Sequence, residues 1–180
     1  MLDILVNNAG IVVRPVHPPS ETPVSEMRET LETNVFGVIA VTNMMLPLLR
    51  RSRARRIVNL TSDLGSITKA SSDPAFPQLL AYNPSKAALN AVTVTYANEL
   101  RDHGILVNAV SPGSVATDQN GHRGVLTPDQ GAKLPIRMAM LPTDGSTGIG
   151  VTADNELSDS RSPGSGLQSA YGSRSPAAAW

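Results

Sequence analysis

Three short apolar runs, at residues 2–6, 56–61 and 105–110, are separated by long amphipathic stretches. Strands so far apart in the chain are not joined as hairpins; a helical crossover between parallel strands is the compact solution. The first run closes in Asn7-Asn8-Ala9-Gly10 and the third in Ser111-Pro112-Gly113, both turn-forming. The fold class is therefore α/β, a parallel sheet flanked by helices.

The connections read accordingly. A loop rich in Pro15, Pro18 and Pro19 leads to Thr22-Pro23, a helix-start signal. From there Val24, Met27, Leu31, Val35, Val38, Thr42, Met45 and Leu49 recur at threes and fours, which predicts a helix over residues 24–49. Residues 62–80 read as a loop. A helix is expected over residues 81–102, with Leu89, Val92, Tyr96 and Leu100 as its stripe and Gly104 to end it. Thr127-Pro128 opens a last helix to about residue 141. Beyond Gly148, Ser, Gly, Ala and Pro dominate, and such a composition does not offset its ordering entropy. The expected organisation is one domain over residues 1–148 and a disordered tail over residues 149–180.

Composition removes several function classes. There is no cysteine, so thiolate catalysis and disulfides are excluded. His17, His103 and His122 lack the spacing of a metal pair and read as surface or loop residues, so no metal site is expected. The formal net charge of zero offers no field for nucleic acid or anionic membrane. The arginine run at residues 50–56 reads as a solvated connection at a helix C-terminus. No signal peptide or membrane span is read, and a cytoplasmic protein is expected.

Four features carry chemistry, all at strand exits or just beyond, where open α/β sheets bind ligands. In Tyr82-Asn83-Pro84-Ser85-Lys86 the i, i+4 spacing puts a phenol and an ammonium on one helix face. A cation about 4 Å from a phenolate, at an effective dielectric near 20, contributes roughly 4 kcal/mol to it. That lowers its pKa by about three units. Ser62, at the exit of the second run, could bind a carbonyl oxygen. Asn34 interrupts the apolar stripe of the first helix and must be hydrogen-bonded if buried. The glycines of the first and third exits permit close ligand approach. Taken singly, each feature also describes an ordinary surface pair, turn cap, packing amide or tight turn.

Together they resemble the short-chain dehydrogenase/reductase family. N-N-A-G stands after one strand, an Asn in the next helix, S-x-x-G after the next strand, Y-x-x-x-K in the following helix and P-G-x-x-x-T after the third. The stretch 81–90 (AYNPSKAALN) is most similar to carbonyl-reductase-type members. The resemblance implies a partial Rossmann-type doubly wound parallel sheet, with the family's Gly-rich N-terminal portion missing and the chain N-terminally truncated. It implies NAD or NADP as cofactor, NADP slightly favoured, and hydride transfer to a small carbonyl or alcohol. Tyr82 would be the proton donor and Ser62 would orient the carbonyl. Lys86 would lower the phenol pKa and hold the nicotinamide ribose, and Asn34 would hold a relay water. Asn7, Ala9, Gly10, Pro112, Gly113, Val115 and Thr117 would line the cofactor along with Tyr82 and Lys86. Residues 114–137 resemble the substrate lid. A homo-oligomer through helices 24–49 and 81–102 is possible. Two other readings stand beside this one: a catalytically inactive fragment acting at most as an interaction partner, and a sugar-nucleotide epimerase sharing Y-x-x-x-K. As a truncated chain, with a bare hydrophobic strand edge, the segment alone is expected to be inactive and unstable.

Overall fold

The structure, a computed structural model, describes residues 1–153. Four parallel strands, β1 (Ile4–Asn7), β2 (Arg56–Leu60), β3 (Leu106–Ser111) and β4 (Gly150–Thr152), form one sheet in sequence order. Between them run α1 (Val24–Leu31), α2 (Val38–Leu49), α3 (Ile67–Ser72), α4 (Tyr82–Leu100) and α5 (Pro128–Ala139). A single π-helical segment, Glu32–Gly37, joins α1 to α2.

The two faces of the sheet are separated by strand alternation. Ile57 and Val107 face α2 and α4, packing with Leu46, Leu49, Ala97 and Leu100. Val58 and Val110 face α5, packing with Leu134 and Met138. The result is the expected doubly wound layer order, with helices on both faces. Arg56, on the α5 face, is 4% exposed and donates through Nε to the carbonyl of Leu141 at 2.8 Å. That carbonyl lies just past the C-terminus of α5, where a cation is favourable.

Four details differ from the sequence reading. Residues 150–152 join the sheet as β4, registered on Ala109, Val110 and Ser111, although their composition placed them in the tail. The open edge of β3 supplies backbone partners that local composition does not reveal; the tail's residues 154–180 lie outside the described residues. The expected loop at 62–80 contains α3, a helix too short for periodicity to register. On α4 the buried positions are Leu89, Thr93, Ala97 and Leu100, so the stripe lies one residue beyond Val92 and Tyr96. Thr93 is buried because it belongs to a polar network, and Ala97 because close approach to the sheet needs a small side chain. Finally, Val24–Leu49 is long and apolar enough to cross a membrane by length and composition. Here it is a layer of the α/β fold, with Asn34 and Thr42 buried and hydrogen-bonded.

That network ties the sheet to its helices. Asn7 and Asn59 are register partners on adjacent strands. Asn7 Nδ2 donates to Asn59 Oδ1 at 2.8 Å and to Thr42 Oγ1 at 3.2 Å, and Asn59 Nδ2 donates to Thr93 Oγ1 at 2.9 Å. Buried polar groups are tolerable only when satisfied, so the ladder fixes which residues oppose each other. Asn59→Leu should destabilise the fold by about 2–3 kcal/mol in urea titrations, because it orphans partners on Asn7 and Thr93. The double variant Asn7→Leu/Asn59→Leu should recover part of that loss, since both ends of one bond are then removed together.

Candidate active site

Because the strands are parallel, the exits of β1, β2 and β3 lie on one side, and the candidate residues gather there. Asn34 sits in the π-helical segment, fully buried. The wider turn adds a residue to the helix and is a frequent feature of functional sites. Its carboxamide accepts from the backbone N–H of Ile11 at 2.8 Å and donates to the Ile11 carbonyl at 3.0 Å and to Ser85 Oγ at 3.0 Å. Ser85 in turn donates to the Tyr82 carbonyl at 2.7 Å. One amide thus joins the β1 exit loop, the long helix and the first turn of α4. Both of its N–H donors are used within the protein, so a relay water would have to bind elsewhere than on them.

Tyr82 opens α4, and Ser62 follows β2 as the cap of the turn Asp63–Gly65. The Leu64 N–H donates to Ser62 Oγ at 3.2 Å, which fixes the rotamer of the serine. The Ser62 hydroxyl also meets the Tyr82 phenol closely enough to favour its ionised form. Burial pushes the phenol pKa up, and the bond from Ser62 works against that rise. The sequence spacing predicts instead that Lys86 brings it down. In the structure Lys86 Nζ lies 5.6 Å from the centre of the Tyr82 ring and donates to the Leu60 carbonyl at 2.8 Å. The ammonium stands over the ring face, and desolvation is the dominant influence on the phenol. The same desolvation lowers the Lys86 pKa to about 8.

Two glycines explain how closely these elements approach. A Cβ on Gly65 would lie 2.8 Å from the Lys86 carbonyl carbon, so only glycine lets the turn after Ser62 rest on the α4 backbone. A Cβ on Gly10 would lie 3.2 Å from Lys86 Nζ and 3.4 Å from Asn34 Oδ1. Gly10 therefore leaves a cradle bounded by the lysine and the clamping amide. At the β3 exit, Gly113 adopts φ +84°. The segment beyond it folds back on itself: Ala116 N–H donates to the Leu126 carbonyl at 2.8 Å, and Leu126 N–H to the Ser114 carbonyl at 3.0 Å. Thr117 starts a short turn closed by Asn120, whose Nδ2 donates to the Val115 carbonyl at 2.8 Å.

With this geometry in place, comparison is informative. The model of the family described as short chain dehydrogenase matches residues 1–124. The chain belongs to the short-chain dehydrogenase family. It is 41% identical over 152 residues to short-chain dehydrogenase anuI of Penicillium roqueforti, covering 81% of this chain and 58% of that protein. It is 31% identical to salutaridine reductase of Papaver bracteatum, covering 82% of this chain and 68% of the relative. Among solved structures, the carbonyl reductase Sniffer of D. melanogaster superposes with a TM-score of 0.75 at 28% identity, over 85% of this chain and 64% of its own. The NADPH-bound carbonyl reductase of chicken fatty liver gives a TM-score of 0.73 at 27% identity, over 84% and 63%.

For this family member, the structure brings Asn34, Ser62, Tyr82 and Lys86 to one end of the sheet, with Gly10 against two of them. Asn7 is different: its side chain is committed to the Asn59 ladder, leaving only its backbone for a ligand. Ala9, Pro112, Gly113, Val115 and Thr117 stand at the strand exits where they were expected. Sequence reasoning missed Gly65 and Ser85 as contributors, and also Ser111, whose Oγ accepts from the Asp63 N–H at 3.1 Å. Gly65 had a signal, the glycine three residues after Ser62; Ser85 had none beyond its place beside Lys86.

The buried lysine makes stability depend on pH with a definite sign. Its folded pKa lies below the unfolded value, so the unfolded chain holds the extra proton between pH 8 and 10.5. Stability should therefore rise with pH from about 8. Above pH 10 the raised phenol pKa of Tyr82 acts in the opposite direction, because the unfolded state ionises first. Chemical denaturation across this range should show the rise in the wild type and its loss in Lys86→Met.

Proposed function

We propose that the enzyme carrying this segment is an NAD(P)-dependent oxidoreductase that interconverts a small carbonyl compound and its alcohol. One observation carries the reading: a half-buried Tyr82 whose phenol is met by Ser62, with the Lys86 ammonium over its ring. This is a proton donor paired with an oxygen-binding hydroxyl in a desolvated site.

The residues present fit a nicotinamide cofactor. Gly10 keeps a cradle open beside Lys86 Nζ, whose hydrogen bond to the Leu60 carbonyl leaves two N–H donors for ribose hydroxyls. Gly113 and its neighbours at the β3 exit give a second backbone approach. The bound nicotinamide supplies or accepts the hydride. Tyr82 gives the proton to the substrate oxygen, and Ser62 orients that oxygen through the hydroxyl that now meets the phenol. Lys86, with a pKa near 8, responds to the charge on Tyr82 and holds the cofactor end of the site. Asn34 keeps the β1 exit and α4 in register. NADP is preferred over NAD in this reading, supported by the NADPH-bound chicken carbonyl reductase and the NADP complex of Pseudomonas aeruginosa RhlG, 29% identical to this chain. Phe36 and Met44, both exposed on the long helix, support self-association through helices 24–49 and 81–102. A cytoplasmic site of action accompanies this reading. Nothing in the geometry favours an inert fragment over a catalyst.

The test is ketone reduction with deuteride-labelled NADPH, in protein that includes whatever sequence flanks this segment. Label should reach the carbinol carbon. Tyr82→Phe should lower kcat/KM by ~10²-fold or more with cofactor affinity kept, and Ser62→Ala should lower kcat by ~10²-fold. Full turnover without the phenol would remove Tyr82 from its role.

A further inference from the structure

We propose that His17, held against Glu26, reads a second oxygen on the substrate, so that the preferred compounds are apolar carbonyls bearing a hydroxyl group. The inference rests on the reading of Tyr82 as the proton donor and adds the substrate class to it.

The loop leaving β1 and the segment entering α4 face each other across a narrow, solvent-open recess whose lining includes Tyr82. Its walls are largely apolar, built from Val12, Val16, Leu79 and Leu80. Besides Tyr82, three polar side chains share it: His17, Thr22 and Glu26. The threonine hydroxyl is already used, donating to the Pro18 carbonyl at 3.1 Å. That leaves the imidazole–carboxylate pair as the polar feature of this chamber.

His17 Nδ1 lies 2.7 Å from Glu26 Oε1. The contact has ion-pair distance without the alignment of a hydrogen bond, and Nδ1 has no other partner among the described residues. Glu26 stands in the first turn of α1, where the helix dipole favours its charge, and its side chain is 14% exposed. In a neutral imidazole, a carboxylate facing Nδ1 favours the tautomer protonated there and leaves Nε2 as a lone-pair acceptor. An acceptor beside apolar walls discriminates strongly. A substrate hydroxyl would satisfy it, whereas a hydrocarbon in the same place would leave it desolvated and unpaired. The imidazole side chain is 32% exposed, so it can meet a ligand from the recess without first unfolding the loop. A pair that merely fixed the loop would be indifferent to a hydroxyl on the ligand.

The experiment uses acetophenone and its 2-, 3- and 4-hydroxy analogues as probes. Each is titrated into protein labelled at histidine nitrogen and tyrosine ring positions, with NADP⁺ present. At least one hydroxylated probe should bind ~5-fold or more tightly than acetophenone, the worth of one net hydrogen bond. The same probe should shift the His17 Nε2 resonance. The preference should vanish in His17→Phe, shrink in Glu26→Gln and partly return in His17→Gln, which restores a polar group should the phenylalanine variant misfold. Acetophenone that moves the Tyr82 signals, with no gain from any hydroxyl or a gain that survives His17→Phe, would overturn the role of His17 alone. Probes that bind without moving Tyr82, or that all fail to bind, would overturn the placement of the reacting site as well.

Discussion

The carboxamide of Asn34 is the constraint on which the rest of the site depends. It is buried in a helix that would otherwise be apolar at that depth, and a buried amide must find partners or cost a few kcal/mol. The partners it finds belong to two other elements, the backbone of Ile11 and the hydroxyl of Ser85. Satisfying one residue therefore fixes the β1 exit loop and the start of α4 together. Tyr82 and Lys86 inherit their positions from that decision, and the π-helical turn is what brings the amide to the right depth. Deeper in the sheet, the Asn7–Asn59–Thr93 ladder does the same for strand register. The candidate-site end of the sheet is held by polar bonds, while apolar clusters pack on either face.

Much of this was legible in the chain. The three longer strands announce themselves as apolar runs closed by turn residues, and each is found within a residue or two. Asn34 is conspicuous because it breaks a periodic stripe, and Tyr82 and Lys86 because their spacing places them on one face. What escaped is what only tertiary contact decides. β4 has three residues and a tail-like composition, and exists because β3 offers an edge. The stripe on α4 was misplaced by one position because Thr93 looks polar in sequence yet is buried against Asn59.

The electrostatic reading of Tyr82 teaches a similar lesson. Spacing alone counts the attraction between cation and phenolate and leaves out the water that burial removes. In the structure desolvation dominates for both groups, and the phenol rises while the lysine falls. Both are thereby moved toward their neutral forms. A neutral phenol is the form that has a proton to give.

The clipped segment after Gly113 carries one more consequence. Two backbone bonds between Ser114–Ala116 and Leu126 close it into a small plate whose internal bonds do not depend on the sheet. Gly124 and Gly131 let Val115 sit in the plate at distances that a methyl group would forbid. Such a plate is held as one piece, like a shutter rather than a curtain. The entropy of a floppy loop is then lost once, when the protein folds.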